Sequence, residues 1–246
     1  MSRIDFTRNW LDRNKVFFET IGALLLSVMA VVVSIKANQI AEFEAVLAKA
    51  ELLPTLHFDV DLRKEPETGH WAFDELVISN IGRPLRSFDS NPLIFLEIEY
   101  WPKNGPGGTV LIPVVRYYDT SFVGSEMVGQ LTRHTCSLKE GNNRKAFYLE
   151  RAVSQYAKTR AETALARIVR YVRVRYTDLI GETHDEVYLV DTFTSRLLPE
   201  RDGKYISDHF ERWNNLNQVI DFHSQINAED IMNKAAKVFA QRPQKF

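Results

Sequence analysis

The chain has 246 residues, 45% of them hydrophobic and 26% charged, with a formal net charge of −1. That length holds one substantial domain plus appendages, and a mean hydropathy of −0.24 excludes a polytopic membrane protein. The near-zero charge sets up no global field toward nucleic acid or an anionic surface. The single cysteine, Cys136, excludes an intramolecular disulfide and a zinc site built on cysteines.

Residues 1–15 form a basic flank, with Arg3, Arg8, Arg13 and Lys15 ahead of the apolar run 16–35. Between Lys15 and Lys36 lie twenty residues whose only charge is Glu19. As a helix they cover the roughly 30 Å hydrocarbon layer. The segment "IGALLLSVMAVVVSI" is apolar on every face, with Ser27 and Ser34 as its polar members, whose hydroxyls can bond back to the backbone. A core helix of a soluble protein would show a polar stripe instead. A cleaved signal peptide is the rival, but "SIKANQIAEF" offers no convincing small-x-small site after the run. The expectation is an uncleaved, single-pass anchor in the cell membrane. Four Lys and Arg before the run against Lys36 and Lys49 after it predict a cytoplasmic N-terminus and a main domain outside the cytoplasm. A cytoplasmic main domain is the alternative.

Residues 36–53 continue as a helical stalk that stops before Pro54. Ile40, Phe43, Leu47 and Ala50 recur in steps of three and four, one coiled-coil-like seam that either joins copies of the chain or packs on its own domain. After Pro54 the period becomes two. "TLHFDVDLR" sets Leu56, Phe58, Val60 and Leu62 against polar neighbours, as in a half-buried strand. "AFDELVISNIG" and "LIFLEIEYW" read as further strands with "RPLRSFDSNP" as loop between them, and "KNGPGG" turns into "TVLIPVVRYY". "ERAVSQYAKTRAETALARI" reads as a helix or long crossover ending near Arg167. "VRYVRVRYTD" and "THDEVYLVDT" form a hairpin across "LIGE". Pairing Asp178 with Thr183 sets Val174 opposite Val187, Val172 opposite Leu189 and Arg175 opposite Glu186. Six or seven short strands with one buried face predict a mainly β fold, an antiparallel β-sandwich over 54–195. In the tail, 196–246, "ISDHFERWNNLNQVI" places Ile206, Phe210, Trp213 and Val219 or Ile220 at helical intervals. "NAEDIMNKAAKVFAQ" starts on a cap at Asn227 and sets Ile231, Ala235, Val238 and Phe239 on one face. Both helices are amphipathic.

The anchor, the stalk, "LVISNIGRPLRSF" and "VRYTDLIGETHDEVYLV" together resemble a diffuse group of uncharacterised bacterial proteins with one N-terminal membrane helix followed by an immunoglobulin-like β-sandwich. The matched features are Asn80 with Gly82 after a strand, and Tyr176, Asp178 and Gly181 at the late hairpin, over residues 16–192. The resemblance implies the sandwich and no catalytic residues. Physically these are turn residues, and Gly181 is placed to supply a positive φ.

Candidate chemistry is sparse. Arg167, Arg170 and Arg173, with Tyr171, form the most suggestive ligand-binding cluster, since interleaved arginine and aromatic side chains hold phosphates and stack bases. The hairpin pairs Arg175 with Glu186 and packs Arg173 beside Tyr188, which argues against nucleic acid. Residues 144–175 carry a net +7 and 178–230 a net −8, blocks that either neutralise each other in the fold or offer a basic surface to an anionic partner. His57, Asp59 and Asp61 share a strand face but sit too far apart for joint metal ligation. Asp208, His209 and Glu211 lie on the surface of a predicted helix, where His209 and Glu211 do not share a face. Cys136 has His134 two residues away, without a third residue to orient the base. "GPGG" lacks the lysine and helix of a phosphate loop. The expectation is therefore no metal, no cofactor and no catalytic constellation. It is a membrane-anchored binding or sensing module with the lipid bilayer and a protein partner or second copy as partners. A membrane-acting effector that oligomerises through anchor and stalk, and an enzyme with a non-local site, are the alternatives.

Overall fold

In a computed structural model, the described residues are 10, 13–65, 69, 71–103, 107–124, 127–160, 162–225 and 227–241, with side chains to Lys237. Among them are four helices and ten strands in two sheets. The chain divides into two units, Met1–Leu52 and Leu53–Phe246.

The first unit is dominated by α1, Lys15–Glu51, an unbroken helix of 37 residues with none buried. It is about 55 Å long and contains the apolar run and all but the last two residues of the stretch expected as a stalk. By length and composition it suits a membrane span or a signal sequence. The apolar surface closes over its own polar groups: Ser27 donates to the Ala23 carbonyl at 2.9 Å and Thr20 to the Val16 carbonyl at 2.7 Å. Glu19 lies 3.8 Å from Lys15, at the polar end of the run. The helix ends at Glu51, ahead of Pro54. Arg3 and Arg8, half of the basic flank used for orientation, lie outside the described residues.

In the second unit, β1 (Leu56–Lys64), β2 (Trp71–Asn80), β6 (Gly129–Thr135) and β5 (Thr120–Val123) form one antiparallel sheet in the order β1-β2-β6-β5. The other sheet runs β10-β4-β3-β7-β8-β9, built from β3 (Ser87–Trp101), β4 (Gly108–Val115), β7 (Thr163–Thr177), β8 (Thr183–Val190), β9 (Ser195–Leu197) and β10 (Ile220–Asp221). Among the described residues only β10 pairs parallel, with β4. The alternation read in "TLHFDVDLR" buries Phe58 and Val60. These meet Leu76, Ile78 and Leu131 of their own sheet and Val172, Val174 and Val190 of the other, so the two sheets share one core.

The body is mixed rather than mainly strand. The long helical stretch expected at 150–167 is α2, Asn142–Thr159, which starts eight residues earlier and stops at Thr159. Thr163–Arg167 belong instead to β7, where a 15-residue register with β3 outweighs the helical propensity of "TALARI". Ala146, Leu149, Val153 and Ala157, at helical spacing, pack α2 against β7 and β2 and into one core with Ile94, Leu96 and Ile98 of β3. The C-terminal helices α3 (Glu200–Asn215) and α4 (Ala228–Gln241) join that body too. Ile206 and Phe210 of α3 cover Leu93 and Phe95 on the opposite sheet face, and Ile231, Met232 and Ala235 of α4 pack with α2. Asn227 caps α4 by accepting from the Glu229 N–H at 2.9 Å, as its position predicts. Ile220 lies beyond α3, in β10, where a strand bridge to Val114 takes over. Val238 and Phe239 side chains lie outside the described residues.

Two strand boundaries also shift. Ser87–Pro92, read as loop, open β3. Pro92 precedes the β4 ladder, which begins at Ile94, and pairs on the β7 side alone, where a missing N–H is tolerated. The late hairpin slips by one residue: Thr177, not Asp178, pairs with Thr183, so Val174 faces Glu186 and Arg175 faces Asp185. Asp178 instead closes a three-residue loop, accepting from Glu182 N–H at 2.9 Å, with Gly181 at φ 92° as the left-handed residue. A one-residue slip turns every β8 side chain to the other face. Glu186 therefore points inward to accept from the Tyr176 and Tyr188 hydroxyls at 3.2 and 2.7 Å.

Candidate functional site

The four residues expected to bind a ligand all lie on β7, but strand alternation divides them. Arg167, Tyr171 and Arg173 share the face covered by α3. Arg170 points to the opposite face. Arg167 pairs with Glu97 at 2.8 Å in the open, Arg173 with Asp185 at 2.6 Å and Glu211 at 3.4 Å, and Tyr171 meets Phe95 edge-on at 5.7 Å. Arg175, expected on Glu186, lies 3.4 Å from Asp185. Much of the basic block is thus neutralised inside the fold, and the register brings no free cationic patch together at these positions.

Arg170 enters a dense, buried polar node of the body. Its guanidinium, 11% exposed, grips Asp74, whose carboxylate is fully buried. The Arg170 Nε–H donates to Asp74 Oδ2 at 3.0 Å. Asp74 also accepts from the Tyr117 and Tyr118 hydroxyls at 2.7 and 2.5 Å and from Asn142 Nδ2 at 3.2 Å. Asn142 opens α2 and accepts from the Asp74 N–H at 2.9 Å, so one helix start, two strands and the Tyr117–Tyr118 turn converge. Burial and then the Asp74 charge push both tyrosines well above their ordinary range, keeping them donors. Burial alone would lower Arg170, but Tyr117 and Asp74 more than reverse this, and it stays charged. Sequence reading missed Asp74. The signal was a carboxylate in phase with Ala72, Leu76 and Ile78 on the buried face of one strand.

A cavity of about 540 Å³ opens beside this node, lined by Arg170, Glu150, Trp71, Arg144 and Tyr148 among others. Arg144 is held by Glu65 at 2.9 Å. Burial pushes Glu150 up, opposed by its acceptance of the Ile168 N–H at 3.0 Å. The walls combine aromatic faces with charges already paired, which suits a polar-aromatic ligand.

Two groups of side chains have metal-ligand chemistry among the described residues: Asp119, Cys136 and His223, and Asp178, Glu182 and His184. The second is explained by its hairpin, since Asp178 takes the Glu182 N–H and His184 Nε2 lies 2.9 Å from its carboxylate. In the first, Cys136 does not meet His134. That imidazole turns inward to Ser90 Oγ at 2.9 Å, and burial pushes it down to about 4. Cys136 lies one residue past β6, against segments 17 and 87 residues away in sequence, beyond the reach of local pattern. Burial pushes its thiol up to about 11, so it is no ready thiolate nucleophile. His57 lies 3.1 Å from Asp59 on the exposed face of β1. On α3, His209 contacts the Leu111 carbonyl at 2.9 Å while Glu211 turns to Arg173.

The chain matches no family model, and no curated protein or solved structure is significantly similar to it.

Proposed function

We propose that this chain is a single-pass, membrane-anchored binding module with an uncleaved α1, a cytoplasmic N-terminus and the body outside the cytoplasm. The body is read as an immunoglobulin-like β-sandwich that presents a surface to a ligand or protein partner without catalysis. The observation that carries this reading is α1, whose run 16–35 is apolar and exposed all round along about 30 Å of helix. In water that surface would be a gross liability; in lipid it is satisfied. The sandwich reading is supported by strand order: β1-β2-β6-β5 and β4-β3-β7-β8 follow the A-B-E-D and C′-C-F-G arrangement of variable-type domains. The resemblance drawn from "LVISNIGRPLRSF" and the late hairpin points the same way.

Expressing the full chain with a reporter after Phe246 tests anchoring and sidedness together. The expected result is an intact product in the membrane fraction, resistant to alkaline extraction, with a reporter active only outside the cytoplasm. A freely dissolved product, or one shortened at residues 35–45, overturns the anchor. A second reading is favoured by the seam Ile40, Phe43 and Leu47, all exposed on α1 beyond the apolar run: an effector whose copies associate through the helix and perturb the bilayer. Growth inhibition on expression that vanishes when residues 16–35 are replaced supports it.

A further inference from the structure

We propose that Asp119, Cys136 and His223 form a mononuclear site for a divalent zinc-type metal ion, with a fourth coordination position open to solvent or a ligand. The three donors come from three segments that end at one place: the turn before β5, the residue after β6 and the turn after β10. One ligand atom from each, a carboxylate oxygen, the thiol sulfur and a ring nitrogen, lies within 4.8 Å of the others. Tetrahedral zinc with bonds of about 2.0–2.3 Å needs donors roughly 3.3–3.8 Å apart, so closure takes side-chain rotation rather than backbone movement. A mixed oxygen, nitrogen and sulfur set suits zinc, and three protein ligands leave a position free.

Two further observations separate this cluster from a fortuitous one. His223 Nε2 is buried and makes no hydrogen bond, although it lies 2.9 Å from Asp119 Oδ2. Two polar atoms side by side without hydrogen-bond alignment are arranged as co-ligands are, around a shared third partner. The donors are also braced from behind. Asp119 accepts from the Ser137 N–H at 2.8 Å and from the Ser137 hydroxyl, Cys136 Sγ accepts from the Leu138 N–H at 3.4 Å, and the His223 backbone N–H donates to Asp221 Oδ1 at 3.0 Å, fixing the turn that carries the ring. Such outer contacts orient metal ligands and tune them. Ligation releases the thiol proton to solvent, leaves the imidazole neutral, and lets thiolate and carboxylate balance the charge of a divalent ion. The inference does not depend on the membrane reading, since all three residues lie in the second unit.

The test is cobalt titration of the chelator-treated, full-length chain in non-ionic detergent, read by absorption. Cys136 is the only cysteine, so any thiolate-to-cobalt charge-transfer band reports this site alone. The expected result is a band saturating at one equivalent and bleached by zinc. Cys136→Ser loses the band, and Asp119→Asn and His223→Gln weaken binding by about 100-fold or more, while His184→Gln leaves it unchanged. Zinc also slows alkylation of Cys136 in the unmodified chain, a readout that needs no variant. A folded wild-type protein that shows neither band nor protection overturns the proposal, as does a band that survives both Asp119→Asn and His223→Gln at full affinity.

Discussion

Removing one member of the Asp74–Arg170 pair should cost far more than removing the charge from both. In Arg170→Met a fully buried carboxylate keeps two hydroxyl donors and one amide donor but loses its counter-charge. An uncompensated buried charge costs about 3–5 kcal/mol. Asp74→Asn alone strands a guanidinium that is 11% exposed, at a similar cost. With both changes no unpaired charge remains and the introduced amide oxygen can still accept from a tyrosine. The double variant should fall only about 1–2 kcal/mol below wild type, a coupling of several kcal/mol. For a body of this size each kcal/mol moves Tm by about 2–4 °C, so each single variant should lose roughly 6–20 °C. Thermal unfolding of the full chain in mild detergent, followed by circular dichroism and tryptophan fluorescence, measures all four proteins. A double variant as unstable as the sum of its singles would refute the reasoning, because the two charges would then be energetically independent.

Other expectations follow from single positions. His134 is held down to about 4 in the fold, against about 6.5 when unfolded. Above pH 6.5 it is neutral in both states, and as pH falls toward 4 the unfolded chain binds its proton first, so about 2–3 kcal/mol of stability is lost by pH 4.5. Urea midpoints of wild type and His134→Gln should converge on acidification. Parallel profiles would contradict the assignment, and the comparison cancels Glu150, whose raised pKa acts in the opposite sense. Gly141 sits at φ 78° with space for a Cβ only 2.1 Å from the Ala72 carbonyl oxygen, so Gly141→Ala should cost about 3 kcal/mol. Gly22→Ala, whose new methyl meets open space, should leave the unfolding of the body where it was. Arg167→Ala removes a pair whose cation is 68% exposed and should change stability by less than about 0.5 kcal/mol in the same assay.

What could be read in the sequence was periodic and local. The alternation of β1, the apolar run of α1, the cap at Asn227 and the left-handed Gly181 each depend on neighbours within a few residues. What escaped depends on partners far along the chain. The "TALARI" segment looks helical until it joins β7, whose fifteen residues all pair with β3, and Arg170 looks like one of a cationic row until Asp74 claims it from 96 residues away. The hairpin shows a third kind of miss. Opposing valines fitted two registers, and the side chain of Asp178, acting on the loop, decided between them. The meeting of Cys136 with Asp119 and His223 left no local trace at all.

The grip on Asp74 also sets an order of events. The carboxylate belongs to the second strand, the tyrosines follow some 43 residues later, Asn142 after 68, and the guanidinium after 96. Until the last of these is synthesised and docked, the carboxylate lacks its counter-charge and burying it is costly. The early sheet therefore cannot close over it, and the final locking of the body waits on its seventh strand. Long-range closure of this kind slows assembly, and because the ion pair completes late, damage to it should show mainly as faster opening of the finished protein rather than slower making of it.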